Sequence, residues 1–210
     1  MTIQPRGPGG DRPLPTVTIG VSIGLPEPHA SRVQRARRSF GDAQADAIRT
    51  HVTLLPPTEV SRGSLPSVTE HLEAVAGSHP RFPMILNGTQ SFRPVSPVVF
   101  IAVREGDDRC RELAQAVRAG PLTRPLEFEY HPHVTVAHHV PDDALDAAAA
   151  QMAEFQLSFE VAEFQLYVQD GGGHWQPVRS FPLTFDGACG PRYRPDDPPG
   201  DRPSEAVRER

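Results

Sequence analysis

The sequence predicts an α+β fold made of two similar halves, in which antiparallel sheets face a central cleft and helices pack outside. Two observations support this prediction. The tetrapeptide His-apolar-Thr-apolar occurs twice, and segments typical of strands and helices follow in a similar order around each copy. Because sheets and helices are stable only when their apolar faces are covered, this duplicated order indicates two lobes around a shared cleft.

Length and composition favour one two-lobed unit. The chain has 210 residues, of which 38% are hydrophobic, and this suits a single domain of ordinary size. Residues 1–13 and 190–210 are rich in proline, glycine and polar residues, so we expect disordered tails around a domain of residues 14–189. The net charge of −5 gives no general attraction for nucleic acid, so a phosphate must be bound by a local patch.

The sequence also indicates where the protein works. Cys110 and Cys189 stand in no disulfide or metal-binding pattern. No apolar stretch follows Met1 as in a signal peptide, and none approaches the ~18 residues of a spanning helix. We therefore expect a cytoplasmic monomer that needs no cofactor and contacts no membrane.

The first half contains five predicted elements. They are a strand, a helix, the first motif strand, a second helix and a further strand, over residues 16–23, 30–40, 51–55, 67–78 and 84–92. Pro56-Pro57 stops the motif strand, because proline cannot donate to a ladder. Ser67 is the predicted N-cap of the second helix, with Glu70 at the capping-box position. The first helix carries four arginines, which indicate a solvated face or, alternatively, an attraction for a polyanion.

The second half repeats this order with additions. The predicted strands are residues 98–104, 127–138, 157–169 and 175–185, and the predicted helices are residues 107–118 and 143–154. Gly120-Pro121 ends the first of these helices. Asp170-Gly171-Gly172-Gly173 is typical of a hairpin turn between the last two strands.

The repeated tetrapeptides are His51-Val52-Thr53-Leu54 and His133-Val134-Thr135-Val136. Side chains alternate between the two faces of a strand, so each histidine shares a face with its threonine while the apolar residues pack behind. Two such strands meeting in one cleft bring together two imidazoles and two hydroxyls. That set can supply an acid and a base to a bound oxyanion.

These motifs resemble those of the two-histidine (2H) phosphoesterase superfamily, most closely its bacterial 2′-5′ RNA ligase-like branch. The match rests on the two tetrapeptides and on Pro132 before the second, and the order of elements extends it over residues 16–185. The resemblance implies a bilobal α+β fold with both motifs on a concave sheet surface. It also implies metal-independent cleavage of cyclic phosphodiesters, or phosphodiester transfer in RNA.

Carried over residue by residue, the resemblance gives His51 and His133 the catalytic role and Thr53 and Thr135 the phosphate-binding role. Apart from the resemblance, Phe92 and Tyr130 are candidate surfaces for stacking on a nucleobase, and the alternative is packing in the core or at the rim. The expected substrate is a nucleotide or RNA end with a 2′,3′-cyclic phosphate or a 2′-5′ phosphodiester. The chain departs from its relatives after the second motif, where His138 and His139 replace a frequent arginine.

Two other functions remain open at this stage. One is a module that binds an RNA end or nucleotide with little turnover, because the charge is negative and the arginine is missing. The other is a zinc hydrolase that uses the cluster His131, His133, His138 and His139. On a regular strand, His138 would point away from the other three. Arginines that could help to bind phosphate stand at strand ends, at Arg93, Arg104 and Arg179.

Overall fold

The computed structural model describes residues 15–126 and 128–185. Its strands are β1 (Thr16–Gly24), β2 (His51–Ser61), β3 (Phe82–Ser91), β4 (Val98–Glu105), β5 (His133–His138), β6 (Gln156–Val161), β7 (Glu163–Gln169) and β8 (Trp175–Pro182). Its helices are α1 (His29–Ser39), α2 (Leu65–Ser78), α3 (Asp107–Val117) and α4 (Asp142–Gln151). The two predicted tails and Cys189 lie outside the described residues.

All eight strands belong to one antiparallel sheet with the order β6-β3-β4-β5-β2-β1-β7-β8. The predicted α+β class is confirmed. The sheet has two halves of four strands, and the motif strands β2 and β5 meet at its centre. Within the described residues, the pair Val52–Val134 is the ladder contact between these two strands. The halves therefore meet where the two tetrapeptides lie side by side.

The two sequence repeats exchange strands. β3 follows β2 along the chain but pairs with β4 and β6 of the second repeat. Conversely, β7 belongs to the second repeat but pairs with β1 of the first repeat. Each half of the sheet therefore contains strands from both repeats.

The sheet curls strongly, as the connection from β6 to β7 requires. The sequence suggested one strand over residues 157–169, and this prediction was wrong. The chain breaks at Ala162, and the two resulting strands lie in opposite halves of the sheet. Leu183 donates its backbone N–H to the carbonyl of Ala162 at 2.9 Å, so β8 and the β6–β7 corner are held together.

Three other predicted boundaries were wrong. β2 continues through Pro56-Pro57 to Ser61, because a register shift in its pairing with β1 accommodates the prolines and β5 no longer flanks it there. β5 begins at His133 and not at residue 127. α2 begins at Leu65 after a short 3₁₀ turn, so Ser67 lies inside the helix, and its hydroxyl donates to the carbonyl of Ser64 at 2.8 Å.

One hydrophobic core unites both halves behind the motif strands. Val52, Leu54, Val134 and Val136 are fully buried, and they belong to one cluster with residues from all four helices. Every helix in the described part of the chain is too short or too polar to span a bilayer.

Candidate active site

The two motifs lie on neighbouring strands, and in each the histidine and the threonine share one face of the sheet. His51 and Thr53 are half-buried while Val52 and Leu54 are buried, and β5 repeats this pattern. If the register of the pair Val52–Val134 is continued by one residue on each side, His51 lies opposite Thr135 and Thr53 opposite His133. Because facing residues in an antiparallel pair are close neighbours, the predicted set of two imidazoles and two hydroxyls is brought together.

Both imidazole rings are held in the same way by the backbone two residues earlier. Nδ1 of His51 lies 2.6 Å from the carbonyl oxygen of Arg49, and Nδ1 of His133 lies 2.8 Å from that of His131. A carbonyl only accepts hydrogen bonds, so Nδ1 carries a proton in each ring and Nε2 is the atom that can take or give one. In His51, Nε2 lies 3.1 Å from the hydroxyl oxygen of Thr53.

Burial keeps both histidines neutral at neutral pH. Loss of solvent is the main cause that lowers the pKa of His51 to about 4, and the positive charge of Arg37 lowers it further. Burial also lowers the pKa of His133, with additional repulsion from His131 and His138. In the free protein both imidazoles are thus proton acceptors, and a bound phosphate would favour protonation of either one.

A cleft of about 740 Å³ opens beside His133, Thr53 and Thr135. We call it the aromatic cleft, because aromatic rings dominate its wall and rim. Phe92 packs against Phe100 with ring centroids 4.3 Å apart and meets the ring of His133 edge-on at 5.0 Å. This places the predicted residue Phe92 directly beside the second motif.

The predicted residue Tyr130 also lines the aromatic cleft, but its surroundings indicate a second role. Its hydroxyl donates to the backbone carbonyl of Thr53 at 2.8 Å. The guanidinium of Arg118 lies over its ring, 4.6 Å from the centroid. Tyr130 therefore connects the segment before β5 to the first motif strand.

The cationic side chains of the aromatic cleft come from a segment in which the sequence shows no motif. Arg118 and Arg124 line the aromatic cleft together with Glu129. Arg124 is fixed by the carbonyl of Pro57 at 3.0 Å and by the hydroxyl of Thr58. No local sequence pattern indicates these arginines, because the tertiary structure of the irregular segment after α3 is what places them at the cleft.

The arginines proposed from the sequence as phosphate helpers are engaged elsewhere. Arg93 pairs with Asp146 at 2.6 Å. Arg104 donates to the carbonyl of Asn87 at 3.2 Å, and Arg179 pairs with Glu73. None of the three lines the aromatic cleft.

The histidine cluster is arranged differently from the prediction. His138 lines the aromatic cleft, because the register between β4 and β5 shifts between Val99 and Phe100. His139 instead has a left-handed backbone, with φ of 51°, and is exposed. Among the described residues, no three His, Cys, Asp or Glu side chains are placed to hold a metal ion together.

Comparisons with known proteins identify relatives of this chain. The family model of the 2′-5′ RNA ligase superfamily matches residues 25–173. A protein of Halalkalibacterium halodurans, provisionally named a phosphoesterase, is 28% identical over 169 residues, which are 80% of this chain and 98% of the relative. A protein of Geobacillus thermodenitrificans with the same provisional name is 27% identical over 142 residues, covering 67% and 82% of the two chains.

Solved structures have the same fold. Escherichia coli LigT in complex with NADP+ superimposes with a TM-score of 0.61 at 23% identity, and LigT in complex with 3′-AMP with a TM-score of 0.60 at 18% identity. Each match covers 81% of this chain and 99% of LigT. The family match spans most of the chain and includes both tetrapeptides, so the protein belongs to the 2′-5′ RNA ligase superfamily of two-histidine phosphoesterases.

Proposed function

We propose that the protein hydrolyses a 2′,3′-cyclic phosphate or a 2′-5′ phosphodiester of a nucleotide or RNA, with His51 and His133 as the acid–base pair. The observation that carries this proposal is the matched pair of motifs on adjacent strands, each with Nε2 free to transfer a proton. An imidazole can serve as base or as acid, and a bound phosphate raises the pKa values that burial lowers.

The reaction needs two proton transfers. One histidine takes a proton from water as the water oxygen attacks phosphorus. The other histidine gives a proton to the leaving oxygen as its bond to phosphorus breaks, so a cyclic phosphate becomes a monoester with a free neighbouring hydroxyl. The first histidine is left protonated and the second neutral, and exchange with solvent restores the pair.

Residues of the aromatic cleft, beside His133, stabilise and orient the substrate. The hydroxyls of Thr53 and Thr135 donate to the non-bridging oxygens as negative charge grows there. Arg118 and Arg124 supply the positive potential at the cleft. The rings of Phe92 and Tyr130 form the wall for a base. LigT structures contain 3′-AMP and NADP+, which supports a nucleotide as the ligand.

The test is turnover of 2′,3′-cyclic AMP and of an RNA with a 2′,3′-cyclic end, with EDTA present. We expect His51→Ala and His133→Ala each to lower kcat at least about 100-fold, the typical contribution of one proton-transfer group. His79→Gln is the matched control, because His79 binds the carbonyl of Val75 in α2, away from the clefts. The control should keep its activity.

Each alternative function gives a different result. Tight nucleotide binding by an inactive wild type would favour the binding module. Activity abolished by EDTA and restored by zinc would favour the zinc hydrolase. Full activity in either histidine variant would refute the paired mechanism.

A further inference from the structure

Cavities continue along the concave face beyond the aromatic cleft. A narrow cavity of about 40 Å³ contains His51 and shares Thr53 and Pro56 with the aromatic cleft. On its other side it shares Arg49 and Tyr167 with a third cavity of about 840 Å³. We call this third space the His51-side cavity. A phosphate held between the two histidines therefore has open space on both sides.

Two of the three arginines that line the His51-side cavity form no ion pair with a described residue. Arg38 pairs with Asp46 at 2.6 Å. Arg35 and Arg49 also line the cavity and are exposed, yet neither forms an ion pair with any described residue. Arg49 immediately precedes Thr50 and stands two residues before His51, so it lies where the narrow cavity opens into the larger one. A guanidinium group at such an opening suits a phosphate.

The same cavity also offers acceptors. Glu27 accepts the backbone N–H of Ser31 at 3.1 Å. Glu163 accepts from Gln165 and Ser180, both at 3.2 Å. Each carboxylate retains lone pairs that can accept from a ribose hydroxyl or a base amino group. The lining therefore suits a ligand with both phosphate oxygens and neutral donors, which is the chemistry of a nucleotide.

A flat aromatic wall stands at the same opening. Trp175 lies against Gly20 of β1, where an added Cβ would come 3.2 Å from Cζ3 of the indole. A glycine at this position is thus what allows the ring to lie so close to the strand. Trp175 lines both the narrow and the His51-side cavity, so its exposed part can contact a ligand that passes from one to the other.

We propose that the His51-side cavity binds a second nucleotide unit with a terminal phosphate, linked through the scissile phosphate to the unit in the aromatic cleft. Arg35 and Arg49 bind the terminal phosphate, and Trp175 contacts the sugar or base of the second unit. This inference rests on the proposed function and adds to it a second binding site, which selects diesters that end in a phosphate.

The test is a binding measurement that does not require turnover. The probe is a 2′-5′-linked diadenylate in which methylene groups replace both bridging oxygens at phosphorus, so attack by water cannot break the link. It is titrated calorimetrically with no terminal phosphate, with a 5′-terminal phosphate and with a 2′-terminal phosphate. We expect one of the two terminal phosphates to tighten binding about tenfold, as one charge-assisted contact typically does.

Substitutions then identify the arginines that bind the terminal phosphate. Arg35→Gln and Arg49→Gln should each remove most of the gain from the terminal phosphate, and Arg49→Lys should retain part of it. Arg62→Gln removes the same charge from an exposed residue that lines none of these three cavities, so it should keep the gain. Circular dichroism and thermal melting check that the variants are folded.

Two results would overturn the proposal. One is a diadenylate that binds equally well with and without either phosphate. The other is an Arg62→Gln variant that loses as much as Arg35→Gln, which would indicate general electrostatic attraction. Because binding of an inert probe is measured, a failure of the proposed hydrolysis would be seen separately, as a wild type that binds the probe but does not turn over the cyclic substrates.

Discussion

His51 and His133 occupy matched positions in matched tetrapeptides, but their neighbours differ. Nε2 of His51 is next to the hydroxyl of Thr53 at 3.1 Å. His133 is surrounded by rings, with Phe92 at 5.0 Å and Phe100 at 5.2 Å between centroids. Burial lowers the pKa of both histidines. We therefore expect the reaction rate and the free energy of unfolding to depend on pH through these two residues.

The first prediction at this scale concerns the pH–rate profile. One histidine must be neutral and the other protonated, so kcat/KM should follow a bell. Since both pKa values lie below 6.5 in the free protein, we expect the maximum below pH 6.5 and a fall toward pH 8 as the acid loses its proton. A rate measured from pH 4 to 9 checks this, and a profile that rises to pH 8 would contradict it.

The second prediction concerns stability. His51 has a pKa of about 4 in the folded protein and about 6.5 when unfolded. Between these pH values the unfolded chain binds a proton that the folded chain does not, so the free energy of unfolding falls as the pH falls from 6.5 to 4. With allowance for partial exposure, the loss is about 2 kcal/mol.

Urea unfolding at pH 7 and pH 4.5 measures this loss. His51→Gln should make the stability less dependent on pH. The control is His139→Asn, because His139 is exposed and asparagine tolerates its left-handed backbone. An unchanged pH dependence in His51→Gln would show that other groups cause the loss.

At the scale of elements, Tyr130 strengthens the joint between β2 and β5. The described ladder between these strands consists of the pair Val52–Val134. The hydrogen bond from Tyr130 to the carbonyl of Thr53 adds a second link across the joint. Burial raises the pKa of the Tyr130 hydroxyl, so it remains a hydrogen-bond donor throughout the working pH range.

We predict that Tyr130→Phe lowers kcat about tenfold with little change in KM. Phenylalanine keeps the ring under Arg118 and removes only the link to Thr53, so the distance between the motif strands becomes less well fixed. The free energy of unfolding should fall by about 1 kcal/mol. A rise in KM with kcat unchanged would mean that the hydroxyl mainly binds substrate.

Some of the elements could be predicted from the sequence and others could not. The motif strands were predictable, because alternation between a polar and an apolar face is local. The break at Ala162 was not, since the residues on both sides favour strands and only the curl of the sheet separates them. Arg118 and Arg124 escaped notice for a similar reason, because their path to the cleft depends on tertiary structure. The face on which His138 lies was predicted wrongly, because a register shift between two strands cannot be recognised in the sequence of one of them.

For the whole molecule, duplication predicted two lobes around a cleft, and the structure has two halves of one curled sheet with a common core. The sequence did not reveal that the repeats exchange strands. Pairing partners are chosen by contacts far apart along the chain, and an order of elements is compatible with several pairings. Because of the exchange, neither repeat can form a complete half of the sheet without the other.

After a proteolytic cut between β3 and β4, the two fragments should therefore remain associated. Val95 is 76% exposed in this connection, and a protease site engineered there would give one fragment with β1 to β3 and another with β4 to β8. Across the cut, β1 pairs with β7, and β3 pairs with β4 and β6. Both fragments should co-elute in gel filtration and separate only in denaturant, because each completes the other's half of the sheet. The connection between β3 and β4 keeps the two parts of the chain close together during folding. Once the protein has folded, the pairing between their strands holds the parts together without this connection.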